Sequence, residues 1–419
     1  MKAIVIGGGL IGVTTAYFLR SRGHDVTVIE RQGGVAEETS FANGGFLSPS
    51  MAEPWNAPGC WRVLLRSIGR SDAAIQLRWR ALPSLMGWGV GFLRNSSPVA
   101  FERNTRSNVR LALYSLEVLH ALLEKEPIEY GRGSGGALKV FRSERALDQA
   151  CAAVARSSSE GLTYSRLSPS DVAEREPALA PIIDRLSGGI HYAADETGNA
   201  YQFCTGLAER ARRQGVRFCF QNSVFSLEAR LGRVSAVLTQ QGRLVADRYI
   251  LAAGSYSTPL LHGIGLKLPV RPAKGYSVSF EMDPEHPALT TPVIDDDLHA
   301  ALVPLGGVLR LAGTAEFAGY DRRLAADRIR NLTQLLNEVL PRAPFDPTKG
   351  MAWCGLRAMS VDGVPIIGRT SIENLFINTG HGHLGWTMAA GSASLLADLI
   401  GSQAPSIDPA PFAPSRFGI

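Results

Sequence analysis

Residues 2–12 read Lys2-Ala3-Ile4-Val5-Ile6-Gly7-Gly8-Gly9-Leu10-Ile11-Gly12, and residues 25–30 read Asp25-Val26-Thr27-Val28-Ile29-Glu30. The first stretch begins as a β-strand, passes through a glycine turn and enters a helix that Gly23 ends. The second stretch is another strand. A strand–helix–strand unit of this length predicts two parallel strands joined by a right-handed crossover, and therefore an α/β fold.

The glycines of this turn match the pattern G-x-G-x-x-G, which is a strong signal only between a strand and a helix. Gly7 permits the tight turn, Gly9 lets the backbone approach a pyrophosphate, and Gly12 lets helix and strand pack closely. The free N–H groups of the helix start favour a phosphate. Glu30 lies 18 residues after Gly12 and can accept hydrogen bonds from a ribose. This unit therefore predicts an adenine dinucleotide cofactor.

Composition places the chain among folded proteins. It has 419 residues, of which 45% are hydrophobic and 19% charged, so it can bury a large core in two or three structural units. The net charge of +5 permits an anionic ligand or an acidic membrane surface but is too small to indicate nucleic acid. Helical periodicity predicts helices over 101–126, 201–214, 325–340 and 386–400.

Cysteine and histidine usage argues against disulfides and metals. The five cysteines are scattered, which favours a reducing, cytoplasmic location and no structural zinc. His381 and His383 lie in a glycine loop without a third ligand nearby, so we predict no metal. The apolar run 3–19 resembles a signal peptide or membrane anchor, but the three glycines inside it favour the strand and turn described above.

The segments after Glu30 indicate which of two cofactors, NAD or FAD, the chain binds. A loop of small and polar residues over 38–47 suits a longer cofactor that continues across the sheet, with an ordinary surface loop as the alternative. A strand over 247–252 ends in Ala253-Gly254, where the chain can pass close to a dinucleotide. A plain strand and turn is the alternative there.

Two glycine-rich motifs near the end of the chain carry further chemistry. Residues 355–368 contain Arg357, which can bind a substrate carboxylate through two hydrogen bonds, although most arginines are simply at the surface. Residues 378–387 read Asn-Thr-Gly-His-Gly-His-Leu-Gly-Trp-Thr and open the last helix. Such a helix start can stabilise negative charge on a reduced flavin.

Together these segments resemble the FAD-dependent amine and amino-acid oxidoreductases of the D-amino-acid oxidase type, most of all the flavin-bearing small subunit of bacterial D-amino-acid dehydrogenases. The runs that carry the resemblance occur in the same order in this chain: Glu38-Thr39-Ser40 with Asn43-Gly44-Gly45, Lys274-Gly275-Tyr276-Ser277, Gly313-Thr314-Ala315-Glu316, Gly355-Leu356-Arg357 and Gly380-His381-Gly382-His383-Leu384-Gly385-Trp386-Thr387.

The resemblance implies a two-domain fold. A discontinuous, Rossmann-like FAD domain would use residues 1–95, 200–270 and 345–401. A discontinuous substrate domain with an antiparallel sheet would use 96–199 and 271–344, and residues 402–419 would form an extended or loosely ordered tail.

The resemblance also implies site residues. Arg357 would bind the substrate carboxylate, and His383 stands where related glycine oxidases have a second substrate contact. Tyr276 is a further pocket residue, as are Tyr320 and His299. The expected FAD contacts are Gly7, Gly9, Leu10, Ile11, Gly12, Glu30, Arg31, Thr39, Ser40, Asn43, Gly44, Gly45, Phe46, Leu47, Val224, Ala253, Gly254, Gly380, His381, Gly382, His383, Leu384, Gly385, Trp386 and Thr387. FAD would be non-covalent, with Cys354 as a candidate for a covalent link.

The implied reaction is oxidative deamination of D-amino acids by hydride transfer from Cα to flavin N5, with a quinone or another carrier as electron acceptor. The alternatives are a cyclic D-imino acid such as D-proline or D-hydroxyproline, and glycine or sarcosine. A non-catalytic flavin-binding scaffold and an NAD-only dehydrogenase are further alternatives.

One segment bears on the electron acceptor. Residues 55–88 contain Trp55, Trp61, Trp79 and Trp88 together with Arg62, Arg66, Arg70, Arg78 and Arg80. Aromatic and basic side chains suit peripheral contact with the inner face of a membrane. Packing against the FAD domain is the alternative, and it is favoured because Trp and Leu usually mark core.

Overall fold

A computed structural model describes residues 1–67, 75–157, 160–283, 288–343 and 345–419. The predicted strand–helix–strand unit is present as β1 (Lys2–Ile6), α1 (Leu10–Ser21) and β2 (Asp25–Ile29). β1 and β2 pair in parallel, with Ile4 opposite Thr27. The apolar run 3–19 therefore forms a buried strand and helix of the core, and the anchor alternative is not needed to explain it.

Four of the other helices agree with the predicted ones to within three residues, and five had no predicted counterpart, over 60–67, 82–94, 144–157, 169–175 and 257–262. They are α2 (Cys60–Ser67), α3 (Leu82–Arg94), α4 (Pro98–Lys125), α5 (Glu144–Ser157), α6 (Pro169–Arg175), α7 (Ala200–Arg213), α8 (Ser257–His262), α9 (Ala326–Val339) and α10 (Ala389–Ile400). Pro127, Gly215 and Pro341 each follow a helix end, as expected for residues that cannot continue a helix or that favour its C-cap.

The other strands are short, apart from three long ones in the second half of the chain. They are β3 (Phe46–Leu47), β4 (Ile75–Leu77), β5 (Ala137–Phe141), β6 (Ser165–Leu167), β7 (Gly188–Tyr192), β8 (Glu196–Thr197), β9 (Arg217–Cys219), β10 (Val224–Arg230), β11 (Arg233–Thr239), β12 (Gly242–Leu244), β13 (Arg248–Leu251), β14 (Val270–Glu281), β15 (Val293–Asp295), β16 (Ala300–Pro304), β17 (Val308–Phe317), β18 (Met351–Ser360), β19 (Ile366–Arg369) and β20 (Leu375–Thr379).

The first sheet has the strand order β19-β20-β13-β1-β2-β9 and is parallel except for β19. Helices α1, α7 and α10 cover one face. The small antiparallel sheet β10-β11-β12 and helix α8 cover the other. Because both faces are covered, its central strands are almost wholly apolar. The carboxyl ends of β1, β2 and β13 meet at one edge, where a dinucleotide binds in such sheets.

The second sheet has the order β18-β14-β17-β16-β15-β5-β7-β6, with β4 beside β17. Most of its pairs are antiparallel, while β15–β5 and β17–β4 are parallel. Helices α6 and α9 pack on one face and form a separate apolar core with it. A parallel sheet and a mainly antiparallel sheet together confirm the predicted fold class.

Three elements pack across the predicted domain boundaries. β4 and β18 fall in ranges predicted for the FAD domain, but they are strands of the second sheet. α4 falls in a range predicted for the substrate domain, but it packs against α10. Periodicity reveals that a helix has an apolar face, not which sheet covers that face. The division into two domains stays a prediction, with these three elements reassigned.

The tail prediction was wrong. Residues 402–419 form two short 3₁₀ helices, Ala410–Phe412 and Pro414–Phe417, and Phe412 is buried. Arg416 donates to both carboxylate oxygens of Asp362 and to the carbonyls of Val364 and Pro365. The prolines set tight turns that dock on the first domain rather than an extended end.

Candidate active site

The glycine turn has the geometry that the sequence predicts. Gly7 has a φ of +110°, and a Cβ there would lie 2.6 Å from the carbonyl oxygen of Ala252 on β13. A Cβ on Gly12 would lie 1.9 Å from the carbonyl oxygen of Gly7. Both positions therefore require glycine, the first for its conformation and both for the close approach of neighbouring backbone.

The start of α1 offers free backbone donors. Gly9 is the N-cap residue and has no side chain to satisfy the first N–H groups. Leu10 N donates to Ser40 Oγ at 3.3 Å, and a Cβ on Gly9 would meet only that oxygen, at 3.8 Å. Open space in front of unsatisfied N–H groups is what a pyrophosphate needs.

Glu30 is positioned for the adenosine part of the cofactor. Its side chain is buried at the end of β2, where it accepts from Gly8 N at 2.6 Å and from Gln32 N at 2.8 Å. A carboxylate has about four acceptor positions, so two remain for ribose hydroxyls. Arg31 lies beside it and pairs with Glu38 at 2.6 Å, while its guanidinium stacks 3.8 Å from the ring centroid of Tyr256.

The loop over 38–47 connects the two sheets. Thr39 Oγ1 donates to the carbonyl of Leu356 at 3.0 Å, and a Cβ on Gly355 would lie 2.9 Å from Thr39 Cα. Asn43 Oδ1 accepts from Gly45 N, and Thr387 Oγ1 accepts from Ser48 N at 2.9 Å. The loop is thus held against β18 and against the late glycine motif, as a cofactor spanning both sheets requires.

The late glycine motif contains two buried side-chain atoms without a hydrogen-bond partner, Asn378 Oδ1 and His381 Nε2. His381 is buried, and its Nε2 has no hydrogen-bond partner. Burial lowers the pKa of His381 to about 3, so the ring is neutral. Gly382–Leu384 form a 3₁₀ turn beside it. His381 also borders the cavity described next, and a buried ring nitrogen without a partner is available to a bound polar ring system such as a flavin.

One cavity of about 1080 Å³ joins these elements, which is at the upper end of the ~300–1,000 Å³ range of ligand sites. Most of the predicted residues border it: Gly7, Gly9, Leu10, Ile11, Glu30, Arg31, Thr39, Ser40, Asn43, Gly44, Gly45, Phe46, Val224, Ala253, Gly254, Tyr276, Arg357, His381, Gly382, His383, Leu384, Gly385, Trp386 and Thr387. Three predicted residues do not: Gly12, Leu47 and Gly380. Gly12 acts through backbone packing, and Leu47 is buried in β3.

Arg357 borders this cavity from β18 of the second sheet, whereas Glu30 borders it from the end of β2 in the first sheet. Its guanidinium lies 5.5 Å from the ring centroid of Trp55, and Nη1 donates to the carbonyl of Thr314 at 3.4 Å. A Cβ on Gly275 would lie 2.4 Å from Arg357 Cζ, so glycine there makes room for the guanidinium. Burial lowers the pKa of Arg357 to about 10, which leaves it charged at neutral pH. No carboxylate pairs with it among the described residues, so its charge is available to a ligand.

His383 lies next to Arg357. Its Nε2 is 3.0 Å from the carbonyl oxygen of Met51, which assigns the proton to Nε2, and its ring stacks on Trp55 at 5.5 Å. Burial, with a smaller contribution from the Arg357 charge, lowers the pKa of His383 to about 4. His383 is therefore a neutral imidazole whose Nδ1 is an acceptor.

Tyr276 and Cys354 face away from Arg357. They are opposite each other in the β14–β18 pair, whereas Arg357 is opposite Ala273, three residues further along each strand. Because side chains alternate across a sheet, Tyr276 and Cys354 lie on the other face. Tyr276 donates to Glu316 in the interior, and Cys354 Sγ donates to the carbonyl of Arg322. Tyr276 still borders the cavity, but its hydroxyl is bonded to Glu316, so the structure gives no support for the predicted catalytic role of Tyr276.

The other two pocket candidates also have alternative partners. Tyr320 donates to the carbonyl of Ser255 at 3.0 Å and does not border the cavity. His299 borders the cavity, is exposed, and keeps its predicted place as a pocket residue.

Sequence reasoning missed the role of two residues in the cavity wall. Trp55 was assigned to the Trp/Arg stretch, although it follows the 38–47 loop closely enough to suggest a site role. Thr314 is the extra residue of a β-bulge, since Gly275 pairs with Ala315 and Tyr276 with Gly313. Its φ of +55° is unusual for a β-branched residue and turns its carbonyl toward Arg357. No sequence signal indicated this bulge.

We name the glycine turn 7–12, the start of α1 and Glu30 the dinucleotide cradle. A Rossmann-like dinucleotide cradle in the same cavity as an unpaired arginine indicates a flavin-dependent oxidoreductase that acts on small carboxylates. The family model DAO, described as FAD dependent oxidoreductase, matches residues 2–399, so the chain belongs to this family. The residues of the cradle fit its cofactor, FAD.

Individual relatives agree with this assignment. A curated protein of Sinorhizobium medicae (strain WSM419) named D-amino acid dehydrogenase is 40% identical over 418 residues, which covers 100% of both chains. A protein of the same name from Vibrio vulnificus (strain YJ016) is 38% identical over 400 residues, or 96% of each. The crystal structure of glycine oxidase from Geobacillus kaustophilus has a TM-score of 0.75 at 23% identity and covers 98% of each chain, which shows a shared fold.

The remaining predictions concern location and metals. Within the described ranges, the helices are all too short or too polar to cross a membrane. All five cysteines are free. The cytoplasmic location and the absence of a metal stay predictions.

Proposed function

We propose that this protein oxidises D-amino acids with FAD, yielding 2-oxo acids and ammonia. The observation that carries the proposal is Arg357, an unpaired arginine in the cavity that also contains the dinucleotide cradle. A guanidinium binds a carboxylate through two parallel hydrogen bonds, which orients the amino acid as well as holding it. Full-length similarity to proteins named D-amino acid dehydrogenase supports the choice of substrate.

The chain's own residues supply binding and orientation. When bound, FAD supplies the ring that accepts a hydride from the substrate Cα. Arg357 holds the carboxylate, and Thr314 restricts the guanidinium through its carbonyl. Trp55 covers the guanidinium and keeps water from that side.

His383 is suited to the substrate amine. Because Nε2 of His383 donates its hydrogen to the carbonyl of Met51, its Nδ1 can accept a hydrogen bond from the amine. Because its pKa is about 4, His383 adds no positive charge beside Arg357 at neutral pH. A second cation would hinder binding of a protonated amine, so the neutral ring is the favourable state.

We also propose that FAD is bound without a covalent link. Cys354 was the candidate for such a link, but its buried Sγ lies on the sheet face away from Arg357 and donates to Arg322. Denaturation should therefore release free FAD.

The first test is anaerobic reduction of the purified yellow protein. D-Alanine is expected to bleach the flavin band, and L-alanine is the matched control because it differs only in configuration. A panel with D-proline, trans-4-hydroxy-D-proline, glycine and sarcosine distinguishes the alternative substrates. Absence of flavin, or a band that none of these compounds bleaches, would contradict the proposal and favour a scaffold role.

The electron acceptor is proposed to be a membrane quinone, reached from an exposed apolar stripe on α3. Trp88 and Phe92 of this helix pack into the core. The opposite side of α3 exposes large apolar side chains, including Met86 at 70% and Val90 at 52% exposed, and Trp79, in the 3₁₀ turn just before α3, is 73% exposed. We name Trp79, Leu82, Met86, Val90 and Leu93 the α3 stripe. Packing in the core thus explains the burial of Trp88 but not the exposure of the α3 stripe.

The charge around the α3 stripe suits an anionic lipid surface. Residues 54–101 contain six arginines and one acidic residue, Asp72. Arg62 and Arg80 stack at 5.2 Å on the rings of Trp61 and Trp79, both exposed. Arg70 and the side chain of Arg66 lie outside what the structure describes. Ile75 on β4 borders the cavity, so the stripe lies near the wall of the site.

Met86→Asp should weaken binding to vesicles of phosphatidylglycerol and phosphatidylethanolamine at least about tenfold, because it removes apolar burial and adds a charge that the interface disfavours. Co-sedimentation at several ionic strengths measures this. Leu231→Asp is the control, since Leu231 is fully exposed in the β10–β11 turn. Wild-type protein that does not sediment with these vesicles, or equal binding by Met86→Asp, would contradict the membrane proposal.

A further inference from the structure

Asp195 is a buried carboxylate without a cationic partner among the described residues. It follows β7 and is 0% exposed. Ser48 Oγ and Ser50 Oγ donate to its Oδ2, and Ser50 N donates to its Oδ1 at 3.2 Å. Burial raises the pKa of Asp195 to about 6 despite these three donors. Burying a carboxylate without a cationic partner costs free energy. We therefore expect Asp195 to serve by holding its hydrogen-bond donors, Ser48 and Ser50, in place.

All three donors belong to one wall of the cavity. Ser48, Ser50 and Met51 border it, as does Trp55 a few residues later. Ser48 N also donates to Thr387 Oγ1 on the late glycine motif at 2.9 Å. We name residues 48–55 the cavity wall segment. It is held by Asp195 from one side and by Thr387 from the other.

The cavity wall segment carries the contacts that position the substrate-binding groups. The carbonyl of Met51 accepts from His383 Nε2 at 3.0 Å. The ring of Trp55 stacks on His383 and lies 5.5 Å from the guanidinium of Arg357. A shift of the segment would therefore move two groups together: the Met51 carbonyl, which fixes the tautomer of His383, and the Trp55 ring, which covers Arg357.

We infer that Asp195 is a positioning residue for substrate binding, acting through the cavity wall segment on His383 and Arg357. The inference rests on the proposed function, because it concerns the same site. Asp195 itself is buried behind the cavity wall segment and does not border the cavity. Misplacement of binding groups by about 1 Å is enough to weaken substrate use up to about 100-fold, so the effect is measurable.

The test compares Asp195→Ala with Glu176→Ala. Glu176 is a matched control, since it is also buried and accepts from Thr290 Oγ1 and from the backbone N–H groups of Thr290 and Thr291. Asp195→Ala is expected to raise KM for D-alanine about tenfold or more while kcat changes less than about threefold. Both variants should lower the Tm, but Glu176→Ala should leave KM unchanged. Equal KM values for the two variants would overturn the inference.

Two milder variants keep the test decisive if Asp195→Ala does not fold. Asp195→Asn keeps the shape and one carbonyl oxygen, and Ser50→Ala removes one donor. Each should raise KM about threefold or more, because the loop loses part of its anchor. Unchanged KM in both would overturn the inference.

Binding of propionate, measured by calorimetry on the flavin-loaded protein, separates this inference from the proposed function. Propionate carries the carboxylate without an amine and does not react. If wild-type protein binds propionate but oxidises no D-amino acid, the proposed function fails, and weaker binding by Asp195→Ala still supports the positioning role. Equal propionate affinity in wild type and Asp195→Ala contradicts the positioning role even where D-alanine is oxidised.

Discussion

Arg357→Ala is expected to lower kcat/KM for D-alanine on the order of 10²–10³-fold, mainly through KM. The variant removes the cation that pairs with the substrate carboxylate, and removing one partner of a buried, hydrogen-bonded charge pair costs about 2–5 kcal/mol. The Arg357 charge has no competing carboxylate among the described residues, so the loss falls on ligand binding. Steady-state kinetics with a dye acceptor, together with propionate calorimetry, measures it.

Arg357→Lys is the matched variant. Lysine keeps the positive charge but lacks the planar fork, so it should recover part of the affinity and little of the orientation. Arg369→Ala is a control for loss of an exposed arginine on β19 and should behave as wild type. All three proteins should contain normal amounts of FAD, since none of the substitutions changes the glycine turn 7–12 or Glu30. Unaltered kinetics in Arg357→Ala would remove this residue from the site.

Gly12→Ala is expected to abolish FAD binding and to destabilise the protein by several kcal/mol. A Cβ there would lie 1.9 Å from the carbonyl oxygen of Gly7, so α1 must move away from β1. Both groups are backbone, and neither can turn aside as a side chain would. Overpacking of ordinary core sites already costs about 1–3 kcal/mol, and a clash of this size exceeds it. FAD content after purification and the Tm are the measurements.

Two other glycines give matched comparisons. At Gly9 a Cβ meets only Ser40 Oγ, at 3.8 Å, but it points toward the expected phosphate. Gly9→Ala should therefore fold normally and lose FAD affinity. At Gly33 a Cβ meets nothing within 4 Å, so Gly33→Ala should resemble wild type in both respects. Normal FAD content in Gly12→Ala would contradict the packing argument.

Local patterns predicted the elements of this protein well. The turn 7–12, the helix over 101–126 and the last helix are present within a few residues of their predicted bounds. Each depends on a signal within one turn or one helix face, such as a glycine where backbone must approach or a proline where a helix ends. The carboxylate site was likewise indicated by a single arginine, Arg357, within a recognisable run.

Predictions failed where the outcome depends on which face of a strand a side chain occupies. Tyr276 stands next to Gly275 in the same run, but strand alternation places its side chain on the sheet face opposite to that of Arg357. The prediction of a loosely ordered tail failed for a related reason. Its prolines indicated irregular structure, but not that Phe412 and Arg416 would find a surface to dock on.

The sequence by itself determined the dinucleotide cradle, because its glycines, its helix start and Glu30 are close in the chain and their spacing is set by one strand–helix–strand unit. Only the tertiary structure decided what surrounds Arg357. Trp55, Thr314 and His383 come from three distant segments, and Asp195 supports them from a fourth. Their meeting depends on strand register, on one bulge and on the packing of two sheets. These are set by contacts between residues far apart in the chain, from Gly275 and Ala315 at the bulge to Thr39 and Leu356 between the sheets, which are 317 positions apart.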